Sequence, residues 1–211
     1  MASTVPLVNR SPGDLLTTTL WNTYVAANLN KLLNQGHRKV TVAQFAALTD
    51  IEDGDEVYLE VDSTNGIEWH LVYRSAEATY KWRFLGGPPM GAAVDADEGT
   101  ASTDYAGLAT AGPSVALPRA GDYEVRQEAE AGNTGAGVQH ASYDIGATGA
   151  VDSDEVRQVA SASGQNSAGS RSRRNRLTAV TLLSKYKTSA GTGSWRNRRI
   201  VVTPVRLRHD A

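Results

Sequence analysis

The sequence predicts a mainly β protein, with a short N-terminal helix, a small antiparallel β-module and a C-terminal β-sandwich of jelly-roll-like kind. Three observations carry this. Apolar residues alternate with polar ones over many short stretches, and three of the four Trp lie in such stretches. Turn residues punctuate them, with Gly, Ala, Ser and Thr abundant in between. One early segment, alone, follows the three-to-four spacing of a helix.

Residues 1–18 are polar, contain Pro6 and Pro12 and show no period, which reads as an extended arm. In LWNTYVAANLNKLLNQG (20–36), Leu20, Trp21, Tyr24, Val25, Leu29, Leu32 and Leu33 fall on one helical face. Thr18 or Thr19 caps its start and Gly36 ends it. A helix of this length is only some 24 Å long, by the rough rise per residue, and is marginal alone in water. Its stripe therefore needs a partner: the next domain of the chain, a neighbouring subunit, or a parallel three-helix bundle in which Asn28 sets register. Residues 1–36 are read as an arm and anchoring helix, and the seven apolar residues as an anchoring or oligomer interface.

Residues 37–90 read as the β-module. VAQFAALTDI forms a helical turn. DGDEVYLEVD (53–62) and NGIEWHLVYR (65–74) then flank the turn residues Ser63, Thr64, Asn65 and Gly66, a hairpin signature. Ile67, Trp69, Leu71 and Tyr73 share one side of the second strand, and in YKWRFLGG (80–87) the alternation repeats with Tyr80, Trp82 and Phe84. Trp69, Tyr73, Tyr80, Trp82 and Phe84 thus form the expected aromatic face.

The Gly, Pro, Ala and acidic content of GGPPMGAAVDADEGTAS breaks every pattern, so residues 91–104 read as a linker. From 105 to 211 the strand candidates are SVAL (114–117), DYEVRQEAEA (122–131), HASYDIGA (140–147), DEVRQVAS (154–161), LTAVTLLSKYK (177–187) and WRNRRIVVTPVRL (195–207). Their turn-rich spacing suggests a sandwich or jelly roll. Pro204 implies an edge position or a bulge in the last strand.

With no cysteine, neither a disulfide framework nor a thiolate zinc site is available. No apolar run of about 18 residues occurs, and the first residues lack a signal-peptide layout. These features predict a soluble chain made in the cytoplasm, without membrane insertion. His37, His70, His140 and His209 are scattered and share no ligand spacing, so no metal, cofactor or catalytic role is assigned to them. Asp53, Asp55 and Glu56, like Asp95, Asp97 and Glu98, lack a full calcium loop and read as solvated turns. GTGSWRNR and GAGVQH lack the ending of a phosphate loop.

Net charge is only −2 but unevenly spread: from Gln165 onward eleven Arg and Lys face one acid, Asp210. The strongest polar signal is SRSRRNR with WRNRR, giving Arg171, Arg173, Arg174, Arg176, Trp195, Arg196 and Arg198 as candidates for ligand or inter-subunit contact. Inter-strand pairing with the acids of the Glu124–Glu130 strand is the leading alternative, and nucleic acid, with Trp195 stacking on a base, the least favoured. No catalytic constellation emerges.

Three groups of segments also match a known pattern. LWNTYVAANLNKLLN, then DGDEVYLEVD…NGIEWHLVYR…YKWRFLGGPPM, then GPSVALPRAGDYEV…YDIGATGA…SRSRRNRLTA…SWRNRRIVVTPVRL together resemble tail-associated and fibre-like virion proteins of siphophages, especially those of actinobacterial hosts. The middle group is the most specific. The resemblance implies an N-terminal anchor bound to other virion proteins, a β-module and a jelly-roll-like domain, in a homotrimer on the particle surface. Reading the chain as an adsorption protein adds the expectation that the outward sandwich contacts a host-surface saccharide. The chain is short and lacks an extended repeat region, which admits a head fibre or capsid decoration protein instead. A polysaccharide depolymerase is a further alternative, although the sequence offers no acid–base motif.

Overall fold

The computed structural model describes residues 38–160, 162–164 and 166–210. The expected anchoring helix, with Leu20, Trp21, Tyr24, Val25, Leu29, Leu32 and Leu33, lies outside them. The chain is mainly β and divides into two compact units, one ending at Gly87 and one running from Pro88 to His209.

The first unit begins with β1 (Arg38–Thr41), α1 (Val42–Ala46), β2 (Glu56–Asp62), β3 (Ile67–Tyr73) and β4 (Trp82–Gly86). The expected helical turn is α1. Thr41 starts it through a capping box, its side chain accepting from the Gln44 amide while the Gln44 side chain accepts from the Thr41 amide. The expected hairpin is β2–β3, antiparallel. Asp62 holds its turn by accepting from the amides of Thr64 and Asn65, both at 3.0 Å. The antiparallel reading needs one correction, because β1 joins the edge and runs parallel to β2. The α1 turn and the following loop supply the crossover that a parallel pair requires.

The aromatic face points into this unit. Trp69 and Trp82 are fully buried with Leu59, Leu71 and Phe45. The Tyr73 and Phe45 rings each sit 5.3 Å from Trp82, and Phe84 meets Trp69 edge-on at 6.4 Å. Tyr80 precedes β4 and is half-buried. The face is thus the unit's core, worth more to its stability than to any ligand. Gly87 ends β4 at φ +125°, where a Cβ would lie 2.2 Å from the Glu68 carbonyl oxygen, so only glycine fits.

The second unit is a two-layer sandwich. One sheet orders β13 (Gly193–Leu207), β8 (Gly121–Asn133) and β11 (Asn166–Leu177), with β5 (Met90–Val94) and β6 (Glu98–Thr100) paired to the other edge of β13. The other orders β10 (Val156–Ala160), β9 (Gly137–Ile145), β12 (Thr181–Thr188) and β7 (Ser114–Ala116). Taking β5 and β6 as one interrupted first strand, the sheets read 1-8-3-6 and 2-7-4-5 in chain order. This is the arrangement of a jelly roll. Residues 91–104, expected as a linker, therefore hold the first strand of the sandwich. Their small residues hid it: β5 and β6 carry few large side chains and are specified by pairing with β13.

Tyr123, Val125, Leu182, Tyr186, Trp195, Ile200, Val202 and Leu207 are buried in this unit. Of the two options for Pro204 the structure takes the bulge, with a register shift between Pro204 and Arg206. Beside it, a Cβ on Gly121 would meet the Arg206 carbonyl oxygen at 2.4 Å, so a glycine lets β8 start against β13.

Candidate functional site

The basic cluster SRSRRNR is not among the strand candidates of the sequence. It forms most of β11, which pairs with β8 from Asn166↔Gly132 to Leu177↔Gly121. Strand alternation splits its arginines between two sides. Arg171 donates to the Glu155 carbonyl oxygen at 3.0 Å, and Arg173 donates to that of Ser153 and pairs with Asp154 at 2.8 Å. These two tie the sheet edge to residues 153–155. Arg174 and Arg176 project to the opposite, outer face.

On that outer face the three strands form a charge ladder. Asp122 of β8 stands between Arg176 of β11 and Arg206 of β13, all in register. Its carboxylate takes Arg206 at 2.6 Å, Arg174 at 2.9 Å and Arg176 at 3.5 Å, and its side chain is only 2% exposed. Burial pushes the Asp122 carboxyl up, but hydrogen bonds from Arg206 and Arg174 outweigh it and hold the group below the usual carboxylate range. Further along, Arg126 pairs with Glu128 at 3.1 Å, and Arg196 pairs with Glu130. Hydrogen bonding from Arg196 lowers the Glu130 pKa.

Two candidates turn inward. Trp195 is fully buried, 5.4 Å from the Tyr186 ring, and cannot stack on a base or touch a ligand. Arg198 is also fully buried. Asn197, at φ +50°, sits in a bulge between Arg196 and Arg199 that turns the Arg198 side chain inward. There Arg198 meets Glu98 at 3.0 Å and lies over Tyr186 at 5.4 Å. Glu98 also accepts from the Thr110 hydroxyl at 2.6 Å, and that bond, with Arg198, holds its pKa down. Arg198 thus fastens β6 to the 108–112 segment, a structural duty. Burial raises the Tyr186 phenol to about 12.

A shallow cleft of about 190 Å³ on this face is lined by Pro89, Glu124, Arg126, Ser172, Val201 and Thr203. Sequence reasoning offered the acids of the Glu124–Glu130 strand as pairing partners for arginine but gave Ser172 and Thr203 no role. What would have found them is the β8–β11–β13 register, which a single sequence does not display.

A second polar cluster lies on the other sheet. Glu155 accepts from the Tyr105 hydroxyl at 2.9 Å and contacts His140 Nδ1. Lys187 bonds Asp152 at 2.6 Å and covers the Tyr105 ring at 4.4 Å. Burial and Glu155 raise the Tyr105 phenol well above its ordinary value. The group latches residues 104–106 and 152–155 over β9 and β12. Among the described residues no group of three or more His, Asp or Glu is placed to hold a metal ion.

A scan against protein-family models finds no match, and neither does a search of curated proteins. Solved structures similar to the chain include the Eiger TNF of S. frugiperda, 13% identical over 59% of this chain and 95% of that one, with a TM-score of 0.33. Another is a D431N mutant VP2 protein of infectious bursal disease virus, 12% identical over 78% of this chain, with a TM-score of 0.38. The chain spans 50% of that VP2 chain. A third is BiXyn10A CBM1, 8% identical over 67% of this chain and 76% of that one, with a TM-score of 0.26. The jelly-roll assignment rests on strand order and register alone.

Proposed function

We propose that the chain is a structural protein of a tailed-phage particle, a minor tail or fibre-like component without enzymatic activity. Residues 1–36 join it, as a homotrimer, to other virion proteins, and the sandwich faces outward to meet a host-surface saccharide. One observation carries the reading. The segments behind the resemblance are the scaffold itself: the middle group is β2–β3–β4, while GDYEV, SRSRRNRLTA and SWRNRRIVVTPVRL supply the neighbouring strands β8, β11 and β13. The resemblance therefore follows a folded framework rather than scattered words.

Particles carrying a C-terminal label, imaged by electron microscopy, test the position. Label at the tail tip is expected, whereas label over the head supports a head fibre or decoration protein. Absence from purified particles overturns both. Removing residues 1–36 should leave a β-rich protein that no longer enters particles, and light scattering of the full chain should return three times the monomer mass. New reducing ends after incubation with host cell-wall polysaccharide would establish the depolymerase alternative.

A further inference from the structure

The outer face of the β13–β8–β11 sheet has most of its charges committed, and among the described residues Glu124 and Arg199 are the exceptions. Asp122, Glu128 and Glu130 each engage arginine, but Glu124 has no hydrogen-bond or ion-pair partner among the described residues and is exposed. It lines the cleft on that face together with Arg126, whose Nε is held by Glu128 at 3.1 Å while its terminal nitrogens make no hydrogen bond among the described residues. Ser172 and Thr203 add hydroxyls from the strands on either side, and Pro89 and Val201 add apolar surface.

We infer that this cleft binds one neutral pyranose unit of a glycan, with Glu124 accepting from its hydroxyls. A free carboxylate takes paired hydroxyl donors, and charge-assisted bonds of this kind are about twice as strong as neutral ones. The Arg126 terminal nitrogens donate to ring or hydroxyl oxygens, and the two hydroxyl side chains serve either role. Pro89 and Val201 give the C–H face of a sugar ring somewhere to lie. The volume, about 190 Å³, is below the roughly 300–1,000 Å³ of sites that enclose drug-sized ligands and suits a single ring. The Glu124 carboxylate opposes an anionic sugar at the same place. The inference rests on the saccharide contact proposed above and gives it an address.

The test uses the full-length chain, isotope-labelled, with methyl glycosides of glucose, galactose, mannose and N-acetylglucosamine as probes and glucuronic acid as the anionic comparator. At least one neutral glycoside should shift the amides of Glu124, Arg126, Ser172 and Thr203 at millimolar concentration, with glucuronic acid weaker. Glu124→Gln should lower that affinity about tenfold or more, while Glu130→Gln, on the same strand but paired with Arg196 away from the cleft, should change it less than twofold. Both variants replace exposed or half-exposed groups, and unchanged amide spectra elsewhere confirm the fold. No shift at the cleft with any neutral probe, tighter binding of glucuronic acid, or an oligomer that buries Glu124 overturns the inference. None of these outcomes touches the virion assignment, which stands or falls on finding the chain in particles.

Discussion

Replacing Asp122 by Asn tests the central piece of the sandwich. The carboxylate is 2% exposed and receives Arg206 at 2.6 Å and Arg174 at 2.9 Å. Removing one partner of a fully buried ion pair costs about 3–5 kcal/mol. Here the arginines are freer, with the side chains of Arg174 and Arg176 55% and 76% exposed, so both can return to water when released. Their share is discounted accordingly, leaving about 2–3 kcal/mol, chiefly from Arg206 and the stranded amide. At about 2–4 °C per kcal/mol for a chain of this size, the melting temperature should fall by roughly 4–12 °C in calorimetry at neutral pH. The sign with pH follows from the depressed pKa. A carboxyl lowered on folding contributes its full stability above its unfolded pKa, about 3.9, and loses it as pH falls through the lower folded value. The wild type should therefore lose part of its advantage over the variant below about pH 4. A variant that melts within about 1 °C of wild type, or a gap that does not shrink in acid, would refute the reasoning.

Other perturbations separate structural from surface roles. Trp195→Ala should cost about 3–5 kcal/mol in chemical denaturation, because the indole is fully buried. Arg198→Ala should lower the melting temperature clearly, whereas Arg199→Ala at its exposed neighbour should stay within about 0.5 kcal/mol. Gly87→Ala meets both a φ of +125° and the Glu68 carbonyl. It should cost about 1–3 kcal/mol for the backbone strain alone, read as faster amide exchange in β3 and β4.

Most of the framework was legible from alternation. The β2–β3 hairpin, the helical turn at Val42–Ala46 and the strands from β7 to β13, apart from β11, follow the period of their apolar residues. Legibility failed where strands bury little. β11 has one buried residue, Leu177, at its end, so its Ser and Arg alternation gave no strand candidate. β5 and β6 are short and small-residued and exist by pairing with β13. The candidate site divided along the same line. Trp195 and Arg198 stood out by residue type and proved internal, because a bulge at Asn197 reset the side each neighbour takes. Glu124 and Thr203 are ordinary residues whose meaning comes from register.

The same register decides whether the basic C-terminal quarter binds nucleic acid. In sequence it sets eleven cations against one acid. In the fold β8 lies between β11 and β13 and brings Asp122, Glu124, Glu128 and Glu130 among their arginines. Arg174, Arg176 and Arg206 share Asp122, Arg196 takes Glu130 and Arg126 takes Glu128. Among the described residues of that face, Arg199 is the one guanidinium without an acid partner. A phosphate backbone must then either rely on about one or two contacts or break pairs already made. Binding to duplex DNA should accordingly be weak, with a logarithmic salt slope shallower than about −2, since each phosphate neutralised contributes about −0.9. Fluorescence anisotropy across a salt series measures it. A slope of about −5 or steeper would mean that the arginines leave their carboxylates for phosphate, and the ladder would then be a reserve of charge rather than a brace.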